Sequence, residues 1–144
     1  MSPTSYFAAG QNGDSALPIR KLRVLIVDDD RDTTLTLSAL LREEGYETKA
    51  VHSGAEAMAA LDEFEPDVLI SDITMPGMSG WDLAREVRKA GYRDRPILIA
   101  ISGQFTKAAD RLLSESVGFQ YFFTKPCPAS VLLKVLGPLA ASCR

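Results

Sequence analysis

Short apolar runs alternate five times with amphipathic stretches along this chain, and this alternation limits the fold more than any other feature. The runs lie at residues 22–27, 46–51, 67–71, 97–101 and 119–123. Each is followed by apolar residues at the three- and four-residue spacing of a helix that faces a core. Parallel strands need crossover connections and are buried on both faces, so the pattern predicts an α/β fold: a doubly wound, five-stranded parallel sheet with flanking helices.

Composition and charge restrict the domain count and the function classes. Residues 1–20 are rich in small and polar residues without a period, which predicts a flexible N-terminal tail before one domain at 21–144. A net charge of −3 disfavours a direct nucleic-acid interface, and no apolar run is long enough to span a membrane. Two cysteines offer no metal cage, and we expect the protein to act in the cytoplasm.

Short segments that contain polar, potentially reactive residues follow four of the five apolar runs. They are Asp28, Asp29, Asp30, Asp72, Ser102, Gly103, Thr124, Lys125 and Pro126. In doubly wound folds the functional groups gather at the carboxyl ends of the strands, so these side chains are expected to meet at one edge of the sheet. The sequence therefore predicts carboxylates, a hydroxyl and an ammonium group in one place.

Such a group of side chains suits phosphoryl transfer. Carboxylates that lie close together repel each other unless a cation separates them, and Mg²⁺ binds carboxylates, waters and phosphate oxygens. A carboxylate can also act as a nucleophile and form an acyl phosphate. Lys125 would then pair with the phosphoryl group and Ser102 would donate its hydroxyl, while backbone N–H groups near Thr74 and Gly103 would complete the site.

Each residue also has a plain structural interpretation. Asp30 is as well explained as a helix N-cap as by metal binding. His52 has no second His or Cys at ligand spacing and is interpreted as a surface residue. Cys127 is interpreted as a packing residue, since nothing in the sequence lowers its pKa. It is the occurrence of polar residues at four strand ends of one chain that favours a functional site.

The segments that carry these residues resemble the receiver domain of two-component response regulators, a CheY-like family with a flavodoxin-like fold. The matching segments are VLIVDDD at 24–30, DVLISDITMPGMSGWDL at 67–83, PILIAISG at 96–103 and GFQYFFTKP at 118–126. The resemblance runs from about residue 22 to about residue 139. The Asp-x-x-Met-Pro-x-Met-x-Gly loop that starts at Asp72 is its most specific part.

The resemblance implies a role for each residue of the acidic site. Asp72 would be the phosphorylated residue and also a ligand of Mg²⁺. Asp29 would bind Mg²⁺ directly together with the backbone carbonyl of Thr74, and Asp28 would help mainly through water. Thr74 and Gln104 lie two residues past Asp72 and Ser102, where they would border the path of the water that removes the phosphoryl group.

The resemblance also implies a switch. Lys125, Ser102 and Gly103 bind the phosphoryl group, and Phe122 is the aromatic residue that rotates inward when Ser102 moves toward it. The surface formed by the fourth helix, fifth strand and fifth helix is then remodelled for a protein partner.

The implied partners are proteins. A histidine kinase or a histidine phosphotransfer protein would donate the phosphoryl group, and a downstream protein target or an output domain on another chain would receive the signal. A homodimer is left open. The chain would be a regulatory phosphoacceptor rather than an enzyme, limited to self-catalysed phosphotransfer and autodephosphorylation.

Three departures from the family pattern concern the end of the chain. Phe119, Tyr121 and Phe123 make the fifth strand unusually aromatic, and strand alternation places them on one face, either as a contact surface or packed under a helix. Cys127 stands where a larger apolar residue is common. Gly137–Pro138 is expected to interrupt the last helix, which puts the usual dimer surface in doubt.

Three other functions remain as alternatives. An Mg²⁺-dependent phosphatase with an aspartyl nucleophile would use similar groups, but such enzymes carry a second Asp where this chain has Thr74. A degenerate receiver would bind partners without phosphorylation. A nucleotide-binding fold is disfavoured because no Gly-rich loop follows the first strand.

Overall fold

The computed structural model describes residues 20–141 of the chain, which form five strands and five helices in strict alternation. They are β1 (Arg23–Val27), α1 (Arg31–Glu43), β2 (Glu47–Val51), α2 (Gly54–Phe64), β3 (Val68–Asp72), α3 (Gly80–Lys89), β4 (Ile97–Ser102), α4 (Ala108–Ser116), β5 (Tyr121–Thr124) and α5 (Ala129–Ala141). The tail expected at residues 1–20 lies outside the described residues except for Arg20.

The five strands form one parallel sheet in the order β2-β1-β3-β4-β5. The predicted doubly wound fold is therefore confirmed. The register pairs Val27 with Ser71, Asp72 with Ile101, and Ser102 with Thr124. The carboxyl ends of β1, β3, β4 and β5 consequently lie along one edge of the sheet, which is where the predicted polar residues follow.

Two apolar clusters cover the two faces of the sheet. On β1, Leu25 and Val27 belong to the cluster that includes residues of α2 and α3. Val24 and Ile26 belong to the other cluster, which includes residues of α1 and α5. Successive side chains of a strand point to opposite faces, so a continuous apolar run is what a strand buried on both sides requires.

The position of Phe119 corrects the prediction for the fifth strand. Phe119 is buried in the cluster that contains Leu25, whereas Phe123 packs against the opposite cluster. The cause is the end of α4: Gly118 has a positive φ, and the N–H of Phe119 donates to the carbonyl of Ser114, as in a Schellman motif. The shared face therefore contains only Tyr121 and Phe123, whose rings stack with centroids 6.5 Å apart.

The last helix also differs from the prediction. α5 continues from Ala129 to Ala141 with Pro138 inside it, so Gly137–Pro138 does not interrupt the helix. Pro138 lies in the last turns and is exposed. The carbonyl four residues earlier, which a proline cannot satisfy, belongs to the exposed residue Lys134, where water can replace the missing donor.

Gly80 marks the closest approach between β3 and the start of α3. A Cβ atom at this residue would lie 2.5 Å from the carbonyl oxygen of Asp72 and 2.8 Å from the Cα of Ile73. The N–H of Gly80 donates to the carbonyl of Ile73 at 2.8 Å. The absence of a side chain thus lets α3 begin directly against the strand end that carries Asp72.

We expect Gly80→Ala to lower the free energy of unfolding by about 1–3 kcal/mol, because the new methyl group meets backbone atoms that cannot move aside. The measurement is urea unfolding followed by circular dichroism. Gly137→Ala is the matched control: its Cβ would have no neighbour within 4 Å, so we expect a change below about 1 kcal/mol. Equal losses in the two variants would contradict this account of Gly80.

Candidate functional site

Three carboxylates meet at the carboxyl edge of the sheet. Asp28 and Asp29 follow β1, and Asp72 ends β3. One oxygen of each can be chosen so that all three lie within 4.8 Å of one another. Asp28 and Asp72 are buried, at 5% and 8% exposure, whereas Asp29 is exposed. The cluster therefore has a solvent side through which an ion or a phosphoryl group can enter.

Lys125 connects the two buried carboxylates. Its Nζ lies 3.1 Å from Oδ2 of Asp28 and 3.2 Å from Oδ2 of Asp72, although the residues are far apart in sequence. The lysine follows the end of β5, and its backbone N–H donates to the carbonyl of Ser102 at 2.9 Å. Strand pairing between β4 and β5 thus fixes the backbone from which the ammonium group extends.

The other carboxylate oxygens accept hydrogen bonds from nearby backbone N–H groups. The N–H of Asp30 donates to Oδ1 of Asp28 at 3.0 Å, and the N–H of Thr74 donates to Oδ1 of Asp72 at 3.2 Å. Each buried carboxylate therefore accepts one backbone bond and one bond from Lys125. These bonds fix the orientation of both side chains before any ligand binds.

The electrostatics of the site act against ionisation of Asp72. Burial and the neighbouring charge of Asp28 raise the pKa of Asp72 above its usual range, although Lys125 and the N–H of Thr74 oppose this shift. Burial alone would lower the pKa of Lys125, but its hydrogen bond to Asp28 and the charge of Asp72 outweigh that effect and raise it. A further cation beside Asp72 would relieve the remaining repulsion.

The donor atoms suit Mg²⁺. The three residues offer hard carboxylate oxygens, and Mg²⁺ is typically bound by one or two carboxylates while it keeps several waters. The exposed position of Asp29 leaves room for those waters. The cluster of Asp28, Asp29 and Asp72 therefore fits a small divalent cation.

Ser102 ends β4 and is fully buried. Its Oγ accepts the N–H of Phe105 at 2.8 Å and the N–H of Gln104 at 3.3 Å. Gly103 is exposed, and a Cβ atom there would only make ordinary contacts of 3.6 Å with the side chain of Lys125. The hydroxyl therefore organises the loop that leads to α4, while it keeps its own proton for donation.

Phe122 lies away from the carboxylates, in the middle of β5. It pairs with Ala100 of β4, two positions before the strand ends, and is half-buried against the cluster on the α2 and α3 side. The guanidinium carbon of Arg111 lies 4.7 Å from the centroid of its ring. Thr74 and Gln104 are both exposed, in the loops after β3 and β4.

Asp30, Cys127 and His52, the residues with a plain structural interpretation, each make structural contacts. Asp30 is the N-cap of α1 and accepts the N–H of Asp32. Cys127 packs against the cluster on the α1 and α5 side, and burial raises the pKa of its thiol. His52 is half-buried at the surface, with its side chain 20% exposed and Nε2 3.1 Å from Oγ1 of Thr34.

Comparisons with known proteins give the family. The family model of the response regulator receiver domain matches residues 24–137. The sensory/regulatory protein RpfC of Xanthomonas campestris pv. campestris is 33% identical over 129 residues, which cover 88% of this chain and 18% of that protein. The DNA-binding response regulator MtrA of Mycobacterium leprae is 33% identical over 104 residues, which cover 72% of this chain and 44% of that protein. The chain thus spans less than half the length of these curated relatives.

Solved structures of receiver proteins resemble this chain in fold, in agreement with the family model. The chemotaxis protein CheY4 of Vibrio cholerae superposes with a TM-score of 0.77 at 28% identity, over 83% of this chain and 98% of that one. The signal receiver domain of a signal transduction histidine kinase from Syntrophus aciditrophicus gives a TM-score of 0.73 at 32% identity, over 83% and 89%. Among residues 20–141, no helix has the length and apolar content needed to cross a membrane. Fold, acidic pocket and sequence agree that this chain belongs to the response regulator receiver domain family of two-component signal transduction.

Proposed function

We propose that this chain is a phosphoacceptor that takes a phosphoryl group on Asp72 in an Mg²⁺-dependent reaction and then switches a protein-interaction surface. The observation that carries the proposal is the bridge of Lys125 between Asp28 and Asp72, beside the exposed carboxylate of Asp29. We also propose that the receiver domain extends over residues 21–144, as expected from the sequence.

Asp72 is the nucleophile in the proposed reaction. One carboxylate oxygen attacks the phosphorus of a phosphohistidine on the donor protein, whose other ring nitrogen carries a proton; the P–N bond breaks, and neutral imidazole leaves with the electron pair of that bond. The product is an acyl phosphate on Asp72. The backbone N–H of Thr74 and the ammonium of Lys125 already hold the carboxylate in position, so little reorganisation is needed before attack.

The proposed metal ligands are Asp28, Asp29, Asp72 and the backbone carbonyl of Thr74. Bound Mg²⁺ would neutralise charge on the phosphoryl oxygens. The protein supplies two buried carboxylates in fixed orientation and one that faces solvent. Asp29 is the one of these three carboxylates that faces solvent, so it is best placed to replace a water ligand of an entering ion.

Lys125, Ser102 and Gly103 form the proposed phosphoryl-binding group. The ammonium of Lys125 touches an oxygen of Asp72 and can move from there to a phosphoryl oxygen with little change in the lysine backbone. The Ser102 hydroxyl accepts two N–H groups and retains a proton that it can donate to a second oxygen. Gly103 is exposed and has no side chain, so it leaves space for a phosphoryl group beside Ser102 and Lys125.

The proposed switch is a shift between two conformations. The acyl phosphate stabilises the conformation in which Ser102 and Lys125 both reach it, and Phe122 turns inward as Ser102 moves. Moving such an equilibrium from almost none to almost all molecules needs about 5.5 kcal/mol of differential contact. Charge-assisted hydrogen bonds to the phosphoryl group can supply a large part of this free energy.

The proposed partners are proteins. A histidine kinase or a histidine phosphotransfer protein in the cytoplasm donates the phosphoryl group, and a downstream target or an output domain on another chain responds to the remodelled surface. This agrees with the relatives, in which the matched segment is only 18% or 44% of a longer regulatory protein. The role is regulatory, with self-catalysed transfer and autodephosphorylation instead of turnover of a substrate.

The first test of this function is phosphorylation of Asp72. With Mg²⁺ and acetyl phosphate we expect intact-mass spectrometry to find one added phosphoryl group, and we expect Asp72→Asn to lack it because the nucleophile is gone. Asp94→Asn, which changes an exposed carboxylate before β4, is the matched control and should be phosphorylated normally. An undiminished adduct in the Asp72 variant would move the site elsewhere, and no adduct in either protein would favour a degenerate receiver.

A second prediction concerns the lifetime of the acyl phosphate. Thr74 and Gln104 are exposed in the two loops that border Asp72, so Thr74→Ala and Gln104→Ala should change the dephosphorylation rate about threefold or more by altering the approach of water. A time course of intact mass after removal of the donor gives the rate. Thr106→Ala, exposed in the same loop as Gln104, is the control. Rates equal to that control would remove this role from both residues.

A third prediction tests the charge of Lys125. Lys125→Gln should bind Mg²⁺ about fivefold more tightly, because it removes a cation that competes for Asp28 and Asp72. The same variant should be phosphorylated less, since the phosphoryl group loses its cationic partner. Isothermal titration calorimetry measures the affinity, with the exposed Lys134→Gln as control. Weaker binding than in the control would show that the lysine supports the metal instead of competing with it.

A further inference from the structure

Trp81 forms a polar link between α3 and α4. It is the second residue of α3, and its indole N–H donates to Oγ of Ser114 in α4 at 2.9 Å. The Ser114 hydroxyl in turn donates to the carbonyl of Asp110, one helical turn earlier. The link therefore joins the helix that follows the phosphoacceptor strand to a helix 33 residues later in the chain.

This link matters because α4 buries little of its own surface; besides the link, the exposed Arg111 of α4 lies over the ring of Phe122 in β5. Within α4, all of which lies in the described part of the chain, Ser114 is the buried residue. Leu112 is 67% exposed, although a leucine in an amphipathic helix commonly packs inward. A helix held by so little apolar burial depends more than the other helices on a single hydrogen bond to a neighbouring element.

Phe105 connects Trp81 to Ser102, at the carboxyl edge of the sheet. Its ring packs against Trp81 with centroids 4.9 Å apart and an interplanar angle of 54°. Its backbone N–H donates to Oγ of Ser102 at 2.8 Å, the shorter of the two bonds that this hydroxyl accepts. A movement of Ser102 toward a phosphoryl group removes the acceptor of Phe105 and so disturbs the contact between Phe105 and Trp81.

We propose that Trp81 is a positioning residue that holds α4 in the conformation of the unphosphorylated domain, and that its hydrogen bond to Ser114 breaks when Ser102 engages the phosphoryl group. The inference rests on the proposed function and adds to it a residue that sets the balance between the two conformations. Trp81 acts through Phe105 and Ser114 and touches neither the metal nor the phosphoryl group.

In this proposal, the hydrogen bond between Trp81 and Ser114 exists in the unphosphorylated conformation and is absent from the phosphorylated one. Removing it destabilises the unphosphorylated conformation and leaves the other unchanged. The fraction of molecules ready to bind a phosphoryl mimic then rises, and the apparent dissociation constant falls by the same factor. For one neutral hydrogen bond the expected factor is about fivefold.

Fluorescence tests the movement directly, since Trp81 is the one tryptophan of the chain. Beryllofluoride with Mg²⁺ mimics the phosphoryl group, and we expect it to shift the emission maximum of Trp81 and change its intensity. Mg²⁺ alone is the control for quenching by the ion and should leave the maximum in place. An unchanged maximum in a protein that calorimetry shows to be saturated with beryllofluoride overturns the proposal.

Affinity tests the bias between the conformations. Trp81→Phe keeps a ring against Phe105 but lacks the N–H, and Ser114→Ala lacks the acceptor. Both should bind beryllofluoride about fivefold more tightly in calorimetry. The double variant should gain no more than either single change, because all three remove the same bond. Ser114→Thr, which keeps a hydroxyl, should restore the affinity of the natural protein.

The controls separate this role from a merely structural one. Val68→Ala removes apolar volume from the fully buried start of β3, so it should lower thermal stability without tightening beryllofluoride binding. If Trp81→Phe also lowers only stability, the positioning role is wrong. If the natural protein binds no beryllofluoride at all, the proposed function itself fails. Binding in the natural protein with unchanged affinity in the Trp81 and Ser114 variants leaves the function standing and rejects the inference.

Discussion

The ammonium of Lys125, held between the carboxylates of Asp28 and Asp72, is the interaction on which the candidate site depends. Two buried carboxylates at the end of adjacent strands repel each other, and each would be costly without a partner. The lysine makes their closeness tolerable and also leaves the site responsive, because a metal ion or a phosphoryl group can replace one of its contacts. The same arrangement thus stabilises the resting domain and prepares it for a change of charge.

Most of the fold could be predicted because the apolar pattern has one simple physical cause. A strand buried on both faces needs an uninterrupted apolar run, and parallel neighbours need helices between them. Once that topology is fixed, the register places Asp72 beside Ile101 and Ser102 beside Thr124, so polar residues after the runs must share an edge. The convergence of Asp28 and Asp72 therefore needed no information beyond strand ends and topology.

The features that could not be predicted depend on helix ends and on contacts between distant residues. Phe119 continues an aromatic run in sequence, but the positive φ of Gly118 turns the chain so that Phe119 caps α4 and enters the other cluster. In α4 the apolar Leu112 is 67% exposed, whereas the buried residue is the polar Ser114. No periodicity reports a hydrogen bond such as the one from Trp81 to Ser114, because its partners are set by how two helices pack.

The weak anchorage of α4 is compatible with the small free energy that the proposed phosphoryl group on Asp72 would supply for moving a helix. Hydrogen bonds to a charged group contribute about 1.5–3 kcal/mol each, so Ser102 and Lys125 together offer only a few kcal/mol for conformational change. Leu132 and Leu136 of α5 are fully buried. Displacing this helix would expose their apolar area, at a free-energy cost equal to or larger than what these hydrogen bonds supply. The buried residue of α4 is a serine bonded to one indole N–H, and its contact to β5 is made by the exposed Arg111, so this helix can move within that limit. In the proposed switch, the element best suited to move is therefore the helix that the core holds least firmly.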